Sequence, residues 1–245
     1  IYTNALHISN KIFATSSFCS KSIQKLDNSL KTEVIYIGVD TKKFFPVADK
    51  LEPRSQLGLN HKSFIIASVA RMLPQMGTAS VVNIAKKVTK KNINISFLIA
   101  GAEGTLTEMV NDAADHSNDQ IKSLVNFPFD DLPILYQASD LFLAPTVSKQ
   151  ACMGVAVKEA MSTGIPSLVT DSGGLPEAVR DGIDGNIIPL TLDEQPDDEL
   201  FVDLILDLYD QREKIIKMGE NARQRAFDIF SINAMLEKYI ILLSN

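Results

Sequence analysis

Residues 143–166 read LAPTVSKQACMGVAVKEAMSTGIP, and this order of residue types predicts a strand, a loop, a helix and the start of a second strand. The first strand ends at Pro145, and Gly154 opens the helix. The start of such a helix presents free backbone N–H groups, here at Gly154 and Val155, and the positive end of the helix dipole, which suits a diphosphate. Glu159 lies about one turn inside the helix, where its carboxylate can accept hydrogen bonds from a ribose diol.

Outside this stretch, short β-branched runs alternate with amphipathic helical stretches. The alternation predicts parallel strands joined by crossover helices, so the expected fold class is α/β, a Rossmann-like doubly wound parallel sheet. The predicted strands are residues 11–14, 33–35, 64–69, 95–100, 124–125, 141–144, 167–169 and 185–188. The predicted helices are residues 79–88, 106–114, 132–138, 155–163, 201–208 and 229–243, the last with Ser231 as its N-cap. Residues 48–57 and 191–198 are predicted to be loops.

The composition indicates a folded protein and gives no sign of a nucleic-acid partner. The chain has 245 residues, of which 45% are hydrophobic, enough for a full core. Its 24 basic and 30 acidic residues give a net charge of −6, and the charges are dispersed. No apolar run reaches the roughly 20 residues of a membrane-spanning helix. Because Cys19 and Cys152 lie far apart in sequence, we expect no disulfide framework, no metal site and a reducing, cytoplasmic location.

Several short motifs follow one another along the chain. They are Tyr136 with Ala138 and Asp140; Gly154, Glu159-Ala-Met, Gly164 and Pro166; Gly173-Gly-Leu-Pro-Glu177; and Asp181-Gly with Gly185. In this order and spacing they resemble the C-terminal, donor-binding domain of the retaining GT-B glycosyltransferases, glycosyltransferase family four of the group one type. Upstream, residues 34–40 resemble the crossover between the two GT-B domains, and residues 70–74 resemble the loop that supplies cationic donor contacts.

This resemblance implies an activity and a set of site residues. The family transfers a sugar, with retention of configuration, from a nucleoside-diphosphate sugar to an acceptor. Arg71 matches the arginine that holds the donor diphosphate and its departing charge, so the resemblance makes it both a catalytic and a donor-binding residue. Gly154 and Val155 match the phosphate contacts, and Glu159 matches the glutamate on the nucleoside ribose. No metal or other cofactor is expected beside the donor.

Two positions depart from the family pattern. The lysine expected five residues after Arg71 falls on Met76, and the glutamate expected eight residues before Glu159 falls on Ala151. Because loss of one preorganised electrostatic donor costs on the order of 10²–10³ in rate, enzymatic activity is left open. The alternatives are a working transferase, a degenerate relative that binds a nucleotide sugar or stabilises a partner, and, more distantly, a nucleotide-sugar epimerase of similar fold.

The resemblance also implies a division of the chain. Residues 1–35 are expected to be the end of the N-terminal GT-B domain and the crossover. Residues 36–228 are expected to be the nucleotide-sugar-binding domain, and residues 229–245 a helix that packs back toward the N-terminal domain. The expected partners are the nucleotide-sugar donor, a carbohydrate, lipid or protein acceptor, and the missing remainder of the N-terminal domain. The full-length protein is expected to be cytoplasmic, with a peripheral contact to the membrane.

Three residues each carry two interpretations. Arg71 is a donor contact or an ordinary surface arginine. Glu177 is a ligand contact or a residue that the dipole favours at a helix start. Cys152 is a reactive thiol near a helix start or a small buried side chain in the place of a glycine.

Overall fold

The computed structural model describes the backbone of residues 2–148 and 152–244 and the side chains of residues 5–148 and 152–244. The strands are β1 (Phe13–Ala14), β2 (Glu33–Val34), β3 (Phe64–Val69), β4 (Ile95–Gly101), β5 (Ile121–Val125), β6 (Leu141–Ala144), β7 (Ser167–Thr170) and β8 (Gly185–Ile188). The helices are α1 (Tyr2–His7), α2 (Ser17–Leu26), α3 (Leu51–Gln56), α4 (Thr78–Lys91), α5 (Thr107–Asp115), α6 (Leu132–Ala138), α7 (Val155–Ser162), α8 (Leu175–Ala178), α9 (Asp198–Asp210), α10 (Arg212–Phe230) and α11 (Ile232–Leu243). Every predicted strand is confirmed, with shifts at some ends.

Six strands form one parallel sheet in the order β5-β4-β3-β6-β7-β8, while β1 pairs with β2 in a separate two-stranded sheet. The chain therefore builds the large sheet outward from its centre, first to one side and then to the other. The strand order reverses between β3 and β6, where Ile66 pairs with Leu141. Such a reversal, with right-handed crossovers, places helices on both faces of the sheet. The prediction of a doubly wound parallel sheet is confirmed.

Alternate residues of β3 belong to hydrophobic clusters on opposite faces of the sheet. Phe64 and Ile66 pack in the cluster that includes residues of α4, α5 and α9, whereas Ile65 and Ala67 pack in the cluster that includes residues of α6, α7 and α8. All four are fully buried. A strand buried on both faces is a continuous apolar run in the sequence, and for this reason the predicted bounds of β3 agree with the structure.

Helix α10 contributes side chains to both hydrophobic clusters. The sequence patterns did not predict this helix. Its first half buries Ile215 and Met218 in the first cluster, and its second half buries Ala222, Ala226 and Phe230 in the second. The spacing is helical, but small residues and many charges weakened the pattern. The division predicted between residues 228 and 229 falls within this helix. No helix in the described ranges is both long enough and apolar enough to cross a membrane.

The predicted loop at residues 48–57 is wrong, because this stretch contains helix α3. Pro53 occupies the first turn of α3, where a helix needs no N–H donor. Arg54 is buried, and its guanidinium donates to the Asp140 carboxylate at 2.7 Å and to the Ala138 carbonyl at 3.0 Å. The polar composition concealed a helix that a buried arginine fixes beside the start of β6. The loop predicted at residues 191–198 is confirmed up to the start of α9.

Ser231 caps α11 as predicted, and its Oγ accepts a hydrogen bond from the N–H of Ala234 at 3.1 Å. The predicted helix begins at Ile232 because Ser231 has an extended backbone that separates α11 from α10. The crossover segment, residues 35–46, is hydrogen-bonded to the junction between α10 and α11. The N–H of Val39 donates to the Phe230 carbonyl at 2.7 Å, and the N–H of Ile232 donates to the Val39 carbonyl at 3.1 Å.

A buried lysine also holds the crossover segment. Lys158, in α7, is fully buried, and its Nζ donates to the carbonyl of Ile37 at 2.6 Å. Burial lowers the pKa of Lys158 from 10.5 to about 8, and the neighbouring Glu159 carboxylate opposes this shift. The ammonium therefore keeps a strong backbone acceptor, but at a cost in solvation.

The lowered pKa of Lys158 predicts how the stability of the folded protein depends on pH. Because the folded protein binds the Lys158 proton less tightly than the unfolded chain does, the cost is fully present below about pH 8 and disappears as pH rises toward 10.5. Relative to Lys158→Met, the unfolding free energy of the unaltered protein is expected to rise by about 3 kcal/mol over that window. Denaturant unfolding at several pH values measures this difference.

The exposed Lys214, also on a helix, supplies the control for this experiment. The difference between the unaltered protein and Lys214→Met is expected to stay constant with pH. If the difference in unfolding free energy between the unaltered protein and Lys158→Met is also constant between pH 8 and 10.5, the assigned pKa of Lys158 is wrong.

Candidate functional site

The strand reversal leaves a cavity of about 200 Å³ at the carboxyl ends of β3 and β6. In open parallel sheets this crevice is where ligands bind. Its lining is apolar, with a helix start on one side. The lining residues are Ser68, Val69, Ala70, Met76, Phe142, Leu143, Ala144, Thr146, Gly154, Val155, Ala156, Val157 and Leu175. The predicted site residues Gly154 and Val155 therefore lie in one cavity.

Helix α7 begins directly after Gly154, as predicted. Gly154 has φ = 62°, and a Cβ at this position would lie 2.7 Å from Cδ2 of Leu175, so only glycine fits without strain. No side chain among the described residues caps this helix. Its first N–H groups, at Val155 and Ala156, have no intrahelical acceptor, and Val155 is about half exposed. The helix start thus presents free donors and a positive dipole end to the cavity.

Arg71 follows β3 by two residues, next to Ala70 of the cavity lining. Its side chain is exposed and makes no hydrogen bond or ion pair with any residue that the structure describes. No described residue neutralises the positive charge of the guanidinium, which leaves it available to an anionic ligand. An exposed arginine without a partner fits both interpretations, a donor contact and an ordinary surface arginine.

Met76 lies in the cavity, where the family pattern expects a lysine. It ends the 3-10 turn Pro74–Met76, which is tied to the end of β6. The carbonyl of Gln75 accepts hydrogen bonds from Oγ1 of Thr146 at 2.8 Å and from the N–H of Val147 at 3.2 Å. The thioether therefore adds apolar surface where a charge was expected. Ala151, the other departure, lies outside the described residues.

Glu159 lies one turn further along α7 and does not line the cavity. It is only 5% exposed, and its Oε2 accepts a hydrogen bond from the hydroxyl of Tyr136 at 2.8 Å. Burial raises the pKa of Glu159, whereas Tyr136, Lys43 and Lys158 lower it. Oε1 has no hydrogen-bond partner among the described residues. One carboxylate oxygen is thus fixed by Tyr136, and no described residue binds the other.

Glu177 is the residue whose role the sequence could not decide, and the structure gives it a protein partner. Its carboxylate oxygens accept hydrogen bonds from the N–H groups of Ser17 and Phe18 at 2.8 and 2.7 Å, at the start of α2. The hydroxyl of Tyr36 donates to the same carboxylate at 3.4 Å. Glu177 therefore caps a distant helix, α2, beside that helix's own N-cap residue Ser16.

Cys152 is half-buried, two residues before Gly154. Burial and a contact with Cys19 raise the pKa of the Cys152 thiol. A reactive nucleophile needs the opposite shift, so this position does not favour the reactive-thiol interpretation. In the described parts of the chain, no group of three or more His, Cys, Asp or Glu side chains is placed to hold a metal ion.

A larger cavity, of about 680 Å³, lies at the opposite edge of the sheet. Its lining includes Phe64 at the start of β3, Asp140 just before β6 and Gly164 before β7. Size alone would favour it as the ligand site. Topology favours the smaller one, because the uncapped helix start and the unpaired Arg71 lie at the carboxyl edge, where parallel sheets bind ligands.

The chain is similar in sequence to one known family and to several curated proteins. The family described as "Glycosyl transferases group 1" matches residues 49–225, more than half of the chain. The UDP-Gal:alpha-D-GlcNAc-diphosphoundecaprenol alpha-1,3-galactosyltransferase of Escherichia coli is 28% identical over 212 residues, 85% of this chain and 53% of that protein. A D-inositol 3-phosphate glycosyltransferase of Mycolicibacterium vanbaalenii is 32% identical over 169 residues, 64% of this chain and 37% of that protein. The chain thus spans about half or less of these two relatives.

Solved structures share the fold. Anabaena Alr3699/HepE, in complex with UDP-glucose, has a TM-score of 0.83 and 20% identity, with 98% of this chain and 65% of that chain covered. The C-terminal domain of the group 1 glycosyl transferase LpcC from Francisella tularensis has a TM-score of 0.67 and 20% identity, with 80% of this chain and all of that domain covered. The fold is that of a GT-B C-terminal domain, and the chain belongs to the glycosyl transferases group 1 family.

Proposed function

We propose that this chain is the donor-binding half of a glycosyltransferase and that it binds a nucleoside-diphosphate sugar at the carboxyl ends of β3 and β6. One observation carries the proposal: the uncapped start of α7 opens into the cavity where the strand order reverses, and Arg71 follows the cavity residue Ala70 in the chain. Backbone N–H groups and a guanidinium are the two kinds of donor that bind a diphosphate. A relative named for UDP-Gal and a similar structure that holds UDP-glucose support the same ligand class.

The proposed contacts follow the order of groups in the donor. The diphosphate accepts hydrogen bonds from the N–H groups of Val155 and Ala156 and from the guanidinium of Arg71. The ribose diol donates to Oε1 of Glu159 while Tyr136 holds Oε2. Val155 and Glu159 are four residues apart, which is about 6 Å along a helix axis. A nucleoside diphosphate can span this distance with its ribose and its phosphates.

The proposed reaction breaks the bond between the anomeric carbon of the sugar and a diphosphate oxygen. A bond then joins the same carbon to an acceptor oxygen, which loses its proton, and the configuration is retained. Negative charge grows on the leaving diphosphate, and Arg71 and the start of α7 are placed to stabilise it. We propose no metal or other cofactor for this step; Arg71 and the start of α7 are the groups proposed to stabilise the leaving diphosphate.

The rest of the proposal concerns the full-length protein. Its acceptor, a carbohydrate, a lipid or a protein, would be held mainly by an N-terminal GT-B domain, of which residues 1–35 would be the end. We propose a cytoplasmic protein with a peripheral membrane contact. A second candidate function is donor binding without efficient transfer. Met76 favours it, because a thioether lies in the cavity where a lysine was expected. Both curated relatives described above are named as transferases, which favours the first candidate.

The first test is the affinity for a nucleoside diphosphate. Calorimetric titration with UDP and GDP is expected to show binding of one of them, and Arg71→Ala is expected to weaken it about 10- to 100-fold, the usual worth of a charge-assisted hydrogen bond. Lys214→Ala, which removes an exposed positive charge elsewhere, is the matched control and is expected to change the affinity less than twofold. Equal affinities for both variants, or no binding of any nucleotide, would sink the assignment of Arg71.

The second test separates a ribose contact at Glu159 from a structural role. Whichever nucleoside diphosphate binds is expected to do so about tenfold more tightly than its 2′-deoxy analogue. Glu159→Gln is expected to abolish most of this preference, because the amide is neutral and has a single acceptor oxygen in place of a charged carboxylate. Tyr136→Phe, which removes the protein's own hydrogen bond to Glu159, is expected to lower stability by about 1 kcal/mol and to keep the preference. A preference that survives in Glu159→Gln would place the ribose elsewhere.

A further inference from the structure

The sulfur atoms of Cys19 and Cys152 lie 2.7 Å apart although the residues are 133 positions apart in sequence. This is too close for an ordinary contact between two thiols, and a disulfide bond is about 2.05 Å long. Cys19 lies in the first turn of α2, and Cys152 lies in the turn before α7. The fold therefore brings together the chain's only two cysteines from segments on either side of the crossover.

Helix α8 and the loop before it position both backbones. Gly174 packs against the turn of Cys152, since a Cβ on Gly174 would lie 1.6 Å from the carbonyl oxygen of Cys152. Glu177, one turn later, caps the start of α2 through the N–H groups of Ser17 and Phe18. The juxtaposition of the two sulfurs thus rests on backbone packing and on a helix cap.

Chemistry and access both favour oxidation of this pair over metal binding. No group of three possible ligands that includes these thiols occurs among the described side chains. Both cysteines are half-buried, so a small oxidant can reach them while a protein partner is hindered. A single reversible bond of this kind is also compatible with a reducing compartment, where disulfides are mostly transient.

We propose that Cys19 and Cys152 are a redox modification site that closes to an intramolecular disulfide on exposure to a peroxide. The Cys19 thiol, in the first turn of α2, attacks a peroxide oxygen and becomes a sulfenic acid, releasing the first water molecule from hydrogen peroxide. The second thiol attacks the sulfenic sulfur, the S–S bond forms, and a second water molecule leaves. Overall, the two thiols lose two protons and two electrons, and hydrogen peroxide takes them up and is reduced to two water molecules. A dithiol reductant reverses the step by exchange.

The bond would tie the segment before the crossover to the turn that opens α7. It closes a loop of more than 100 residues, so the oxidised protein is expected to melt at a higher temperature, by on the order of 5 °C. This inference rests on the geometry of the pair and not on the donor site, so it stands or falls separately from nucleotide binding.

The test treats the reduced chain with hydrogen peroxide. We expect both titratable thiols to disappear, a monomer lighter by two hydrogen atoms, a cross-linked pair of peptides that contain Cys19 and Cys152, and full recovery with dithiothreitol. Cys19→Ser and Cys152→Ser are expected to lose the rise in melting temperature and to give a sulfenic or more oxidised single cysteine. Thiols that persist, that oxidise independently to sulfinic acids, or that form bonds only between chains would overturn the proposal.

Discussion

The parallel sheet reverses its strand order between β3 and β6, and the rest of the molecule depends on this reversal. Because connections from the two central strands leave toward opposite faces, a crevice opens at their carboxyl ends. Both sides of the crevice are shaped by short-range geometry. On one side the turn after β3 brings Met76 against the end of β6, and on the other Gly154 adopts a positive φ and starts α7. The uncapped helix start at this crevice is the basis of the diphosphate site proposed above.

Helices α7 and α8, which border the crevice, also hold the segments of the chain that precede the large sheet. Glu177 of α8 caps α2, and Lys158 of α7 holds the crossover segment through the carbonyl of Ile37. Both charged side chains bind backbone groups, and each fixes a segment that precedes the sheet against a helix that borders the crevice. Lys158 is fully buried, which costs solvation free energy, whereas Glu177 is half-buried. Changes in the N-terminal segment are therefore expected to reach the donor site through α7 and α8.

Much of the fold could be predicted from the sequence because its strands are buried on both faces and read as apolar runs. The helix start at Gly154 was equally visible, since a glycine before an apolar helical stretch has few other uses. Helix α3 was hidden because its stabilising residue, Arg54, looks like a surface residue until its carbonyl and carboxylate acceptors are known. The role of Glu177 depends on a helix 160 residues away in sequence, and no local pattern reports such a contact.

The central claim is that a nucleoside diphosphate binds at the start of α7. Backbone amide chemical shifts, followed by NMR as UDP and then UDP-glucose are added, test it most directly. The account predicts that the largest changes occur at Gly154, Val155 and Ala156, with a second group at Ala70 and Arg71. Changes confined to the larger cavity at the opposite edge, for example at Gly164 and Gly219, would contradict it.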